Sequence, residues 1–184
     1  MAERSSLVRL KEEHGIEVDW RGFELHPETP EGGMPITEFF PEARIDSMRT
    51  YIHSFATKFG VHGMGEPGRL TNTRRVLAVA EFARDQGKLD VFRTVAMDAY
   101  WMHGKNLENE EEIREISRQA DLDADAAVRA LNDPRYLKRV DDLRMEAARM
   151  GVTGIPTFFI GDECIVGCQP YEVLEEAVRK VKFD

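Results

Sequence analysis

The segment Gly-Val-Thr-Gly-Ile-Pro-Thr-Phe-Phe-Ile-Gly, residues 151–161, constrains the fold more than any other stretch of the 184. Two glycines bracket Val152-Thr153, and Ile155-Pro156 then opens the apolar run Phe158, Phe159, Ile160. The run is too short for a helix, and Gly161-Asp162 follows as a turn. The second run, Cys164-Ile165-Val166, completes a β-hairpin. Pro156 lacks an N–H, so it fits neither a central ladder position nor a helix interior. It therefore stands at the start of its strand, at the one kind of peptide bond where the cis form costs only about 0.5–1 kcal/mol.

The rest of the chain reads as an α/β protein with a long helical middle. Residues 2–14 predict a helix closed by Gly15. Residues 17–25 predict a strand with Ile16, Val18 and Trp20 on one face and a bulge at Arg21-Gly22. Residues 26–35, rich in proline and glycine, read as a plain connector. Ile45, Met48, Ile52, Phe55 and Phe59 recur at helical spacing. Gly60 to Gly68 is a glycine-rich loop without the Gly-Lys-Ser/Thr ending of a phosphate loop. Further helices are expected after a cap at Asn72 or Thr73, over 89–102, after Asn109 with Glu112, after Asp123, and after Asp133-Pro134. A last helix, capped by Gln169 with Pro170 at its first position, carries Leu174, Ala177, Val178 and Val181 on one face. The acidic run Glu108 to Glu112 reads as a solvated helix start, favoured by the helix dipole.

Length allows one domain with a substantial core, or one domain with an insertion. No apolar run approaches the ~20 residues of a membrane span, and the N-terminus has no apolar signal region. A net charge of −9 disfavours nucleic acid and anionic membranes as partners. Two cysteines cannot build a secreted disulfide framework, and the cytoplasm is the expected compartment.

Residues 151–161, with Gly167-Cys168-Gln169-Pro170 and a closing helix, resemble the cis-proline end of DsbA-family thioredoxin-like proteins, most closely the FrnE-like branch. Residues 70–88 are similar to the Asn-Thr helix segment of that family. The resemblance implies a thioredoxin-like fold formed by 1–38 plus 150–184, with 39–149 inserted as a helical block. It implies a thiol–disulfide oxidoreductase acting on protein or small-molecule thiols and disulfides, with Thr153, Gly154, Ile155 and Pro156 as the substrate-binding loop. No Cys-x-x-C occurs in the sequence, and the first helix starts where the family would already have passed its first strand and that motif. An internal start codon and a true loss of the motif are the two explanations. The chain taken alone is then expected to be inactive as a disulfide oxidoreductase, and an open sheet edge implies self-association, most simply as a two-fold dimer. A thiol- or peptide-binding protein on the same scaffold, and an isomerase resembling the 2-hydroxychromene-2-carboxylate type, are the alternatives.

Few side chains offer chemistry of their own. Cys164 and Cys168 form a redox pair only if the chain bends at Gly167, because a straight strand would hold them about 13 Å apart. Otherwise they are buried cysteines behaving as small hydrophobes, which is the expectation. The five histidines are scattered, no metal-ligand spacing is present, and no cofactor is implied. Tyr100, Trp101, Met102 and His103 are candidates for the wall of a cleft between the helical block and the sheet.

Overall fold

The structure is a computed structural model, and it describes residues 4–58, 60–61, 63–65 and 68–183. Phe59, expected to close one apolar stripe, and His62 lie outside the described residues, as does the side chain of Phe55.

Helix α1 (Arg4–His14) ends where Gly15, at φ +61°, donates its N–H to the Lys11 carbonyl. A left-handed residue there is inexpensive only for glycine. The next ten residues are extended, and their burial alternates as the sequence reading requires. Ile16, Val18 and Trp20 face inward, and Glu17, Asp19 and Arg21 face outward. They nevertheless form no strand, which corrects the expected strand and bulge. A strand exists only by pairing, and among the described residues no backbone hydrogen bond joins 16–25 to another segment. Side chains hold the segment instead: Arg84 donates to the Asp19 carboxylate and to the Trp20 carbonyl.

The connector is more structured than expected. Strand β1 (Met34–Pro35) pairs antiparallel with β2 (Arg69–Leu70), and between them run α2 (Ile36–Phe39) and α3 (Glu42–Lys58). Glu108 locks this region. The residue is 8 % exposed, and its carboxylate accepts the N–H groups of Gly32 at 2.6 Å and Asn72 at 2.8 Å. The side-chain amide of Asn72 donates to the Thr29 carbonyl at 2.7 Å. Glu108 is thus a buried clasp and not the solvated residue expected from its acidic neighbours. Gly33 sits inside the clasp at φ +68°, where a Cβ would stand 2.4 Å from the Leu70 carbonyl oxygen.

The helical block comprises α4 (Arg74–Asp85), α5 (Leu89–His103), α6 (Glu110–Gln119), α7 (Ala124–Ala130) and α8 (Pro134–Arg149). Its caps follow the sequence. Asn109 accepts from the N–H groups of Glu111 and Glu112, Asp123 from Ala126, and Asp133 from Arg135 with Pro134 beside it. Of the two candidate caps for α4, Thr73 holds the N-cap position without a side-chain bond, and Asn72 just before it accepts from the Arg74 N–H at 3.0 Å. The block has its own core, with Val79, Phe92, Ile113 and Leu131 fully enclosed.

Strands β3 (Thr157–Ile160) and β4 (Glu163–Val166) form the hairpin, in the register Thr157 to Val166 and Ile160 to Glu163. Helix α9 (Tyr171–Phe183) closes the chain. Gln169 does not cap it, because its side-chain amide turns back to the Val166 carbonyl. Leu7 and Leu10 of α1 meet Tyr171, Leu174 and Val178 of α9 in a second core. The extended segment (Ile16, Val18, Trp20) and the hairpin (Phe158, Ile160, Ile165) both rest on it.

A polar cluster fastens α1 to α9. The Tyr171 hydroxyl donates to Glu13, Arg9 lies 3.7 Å above the Tyr171 ring, and His14 meets Glu175 at 3.1 Å. Burial and the Glu13 carboxylate push the Tyr171 phenol up to about 12, while Arg9 and the phenol hold Glu13 below the usual carboxylate range. A raised acid in the folded state favours the protonated form. Its contribution is complete below the ordinary tyrosine value of 10.0 and is lost as pH rises from there to about 12. Denaturation between pH 9 and 12 should show that decline, and Tyr171→Phe should remove it.

Candidate functional site

The turn between α8 and β3 carries the four residues singled out in the sequence. Thr153 is exposed, Gly154 and Pro156 are half-buried, and Ile155 is 50 % exposed despite its apolar side chain. The Ile155–Pro156 peptide is cis. Two bonds fix the loop from below. Thr157 Oγ1 donates to the Gly154 carbonyl at 2.7 Å, and the Gly167 N–H donates to the Pro156 carbonyl at 2.8 Å. Among the described residues the Ile155 N–H and C=O take no partner. They are therefore available to an extended ligand, which can add main-chain hydrogen bonds there.

Beside the loop lies a cavity of about 590 Å³, within the range of small-molecule sites. Ile155 supplies its wall on the loop side, and it is the only one of the four loop residues to do so. The extended segment supplies Trp20 and Phe23, α3 supplies Ile45, Met48 and Ile52, α4 and α5 supply Leu77, Phe92 and Tyr100 among others, and α8 adds Val140 and Leu143. Tyr100 and Trp101 stand in the wall as the sequence suggested, whereas Met102 and His103 do not. His26, from the supposed plain connector, lines it as well. Apolar stripes at helical spacing told which faces turn inward but not that they turn toward a void.

The cysteines do not form the suggested pair. No disulfide joins them. Cys164 sits on β4 opposite Phe159 and is exposed, against the expectation that it is buried. The hairpin's inner face is taken by Phe158, Ile160 and Ile165, and alternation sends Cys164 outward. Cys168 is half-buried and directly follows Gly167, whose N–H anchors the loop at Pro156. Among the described residues, Glu13, His14 and Glu175 bring three potential metal-ligand atoms within 4.8 Å of one another. Both carboxylates already serve arginines, Arg9 at 2.7 Å and Arg179 at 2.9 Å.

A hairpin entered through a cis-proline loop, helices α1 and α9 packed together, and a helical block inserted ahead of the hairpin define a DsbA-like thioredoxin fold. The comparisons agree: the model of the DSBA-like thioredoxin domain matches residues 2–179, and the chain belongs to that family. It is 25 % identical over 170 residues to the uncharacterized protein YwbO of Bacillus subtilis, an alignment spanning 89 % of this chain and 81 % of that protein. Among solved structures, it superposes on one described as a probable DsbA oxidoreductase from Streptomyces coelicolor with a TM-score of 0.85. That match has 21 % identity and covers 100 % of this chain and 82 % of the other. A 2-hydroxychromene-2-carboxylate isomerase superposes with a TM-score of 0.78 at 20 % identity, over 98 % and 89 % of the two chains. Among the described residues no helix is long and apolar enough to cross a membrane.

Proposed function

We propose that this chain works in thiol–disulfide chemistry as a docking module. It holds a thiol- or disulfide-bearing peptide or small molecule along Thr153, Gly154, Ile155 and Pro156. The observation that carries this reading is the open backbone of Ile155, whose side chain also forms one wall of the adjoining cavity. Membership of the DSBA-like family supplies the chemistry. The sequence contains no Cys-x-x-C, so the role assigned to these 184 residues is ligand binding and not electron transfer. Two unbridged cysteines suit a reducing compartment, and the reading puts the protein in the cytoplasm.

An isomerase role of the kind named by the solved relative is the second reading. The likeness in fold to that structure, with a TM-score of 0.78, is what supports it.

The test is an NMR titration with a capped cysteine tripeptide, in thiol and disulfide forms, beside its serine counterpart. Amide shifts are expected at 153–157 with the sulfur-bearing peptides. A Cβ at Gly154 would meet nothing within 4 Å, so Gly154→Ala should fold normally. Its methyl stands on the docking surface and should weaken binding about tenfold, roughly the loss of one main-chain hydrogen bond. Absence of shifts at millimolar peptide, or equal shifts with the serine peptide, would overturn the reading.

A further inference from the structure

The open backbone does not stop at Ile155. The Gly167 N–H donates to the Pro156 carbonyl at 2.8 Å, so these two residues face each other as a hydrogen-bonding pair. The register then makes Phe158 with Ile165, and Ile160 with Glu163, the next such pairs. Residues between them turn their N–H and C=O groups the other way. Thr157 and Phe159 therefore present donor and acceptor on the side away from β4, with Ile155 at the head of the row. Strand β4 is the one neighbour of β3 in its sheet, so among the described residues this row has no partner. The far edge of β4 is partly taken, because the Gln169 amide donates to the Val166 carbonyl at 2.9 Å.

A second unused backbone borders the same space. Among the described residues, the extended segment 16–25 makes no backbone hydrogen bond to another segment. Ile16, Val18 and Trp20 rest on the core that also carries Phe158 and Ile160. Trp20, Phe23 and Leu25 line one cavity together with Ile155. The segment and β3 share no ladder, so they stand farther apart than the about 4.8 Å of paired strands. Between them lies a space with a backbone edge on two sides. Leu10 and Leu174 belong to the core beneath it, and Leu77 and Leu143 to the cavity wall.

Another extended backbone is the ligand that repeats donors and acceptors at the spacing of both edges. We propose that a β-strand of a partner polypeptide inserts between segment 16–20 and β3. Apolar walls on both faces call for a continuous run of Val, Ile, Leu or Phe, as in any strand buried on two sides. A second copy of this chain does not suit, because its own β3 edge is set between the same two walls. The proposal rests on the reading that ligands dock on the Ile155 backbone, but the inserted strand needs no sulfur. Binding is non-covalent.

Both tryptophans of the chain line the cavity, so their fluorescence reports its occupancy. The full chain is titrated with the capped peptide Lys-Val-Ile-Val-Phe-Val-Lys and followed by fluorescence and hydrogen exchange. At saturation the Thr157 and Phe159 amides should exchange about tenfold more slowly, the effect of one main-chain hydrogen bond. The Phe158 and Ile160 amides, already bonded to β4, should change little. Two copies of the peptide, N-methylated at one or the other set of alternate residues, keep the side chains and lose the donors toward one edge. Each should bind about tenfold more weakly. If one set alone matters, the strand lies against a single edge and insertion is overturned. Equal binding of Lys-Thr-Ser-Thr-Ser-Thr-Lys overturns the apolar requirement. Protection of Thr157 and Phe159 that rises with protein concentration in the absence of peptide gives the edge to a second copy and overturns the partner strand. The cysteine tripeptide bound at 153–157 with no strand binding overturns this proposal and spares the functional reading. Strand binding with equal response to the cysteine and serine tripeptides does the reverse.

Discussion

Leu174→Ala is expected to cost about 4 kcal/mol, near the upper end for a buried leucine truncated to alanine. The side chain is fully enclosed in the second core, whose other buried members are Leu7, Leu10, Tyr171 and Val178. Two features push the cost upward. The core is small, so few neighbours can relax into the space. The extended segment 16–20 and the β3–β4 hairpin also share no ladder, so side-chain packing on α1 and α9 is what joins them. Urea denaturation should show the loss. Hydrogen exchange should speed up in α1, β3, β4 and α9 while the amides of α4 to α8 keep their protection, because that block encloses a core of its own. Uniform loss of protection across both parts would mean that the two cores stand or fall together.

Glu108→Ala should be nearly as damaging, at roughly 3 kcal/mol. The carboxylate makes two charge-assisted bonds to backbone donors, each worth about 1.5–3 kcal/mol, and their removal leaves the Gly32 and Asn72 N–H groups without acceptors. The damage should be local. Loop 26–33 would lift from the start of α4, and His26 with it, so cavity occupancy read by tryptophan fluorescence should weaken alongside stability. Glu108→Gln keeps one acceptor oxygen and should recover part of the loss. Full stability in Glu108→Ala would show that water replaces the clasp without cost.

How much of this was legible beforehand follows the range of each interaction. The caps at Asn109, Asp123 and Asp133 were readable because donor and acceptor lie within three residues. The hairpin was readable because its turn residues sit between two apolar runs. Residues 17–25 were readable as extended but not as unpaired, since a ladder depends on a neighbour far away in sequence. Glu108 was misread because its burial is created by Gly32 and Asn72, 76 and 36 residues away. The cysteines were misjudged for a related reason: residue type argues for burial, but the strand register sends Cys164 to the outer face.

Ile155 belongs at once to the docking loop and to the cavity wall. Its backbone is open to a ligand at the loop while the residue also lines the cavity, so occupants of the two places would share one residue. By thermodynamic reciprocity, whatever factor a cavity guest imposes on peptide affinity, the peptide imposes on the guest.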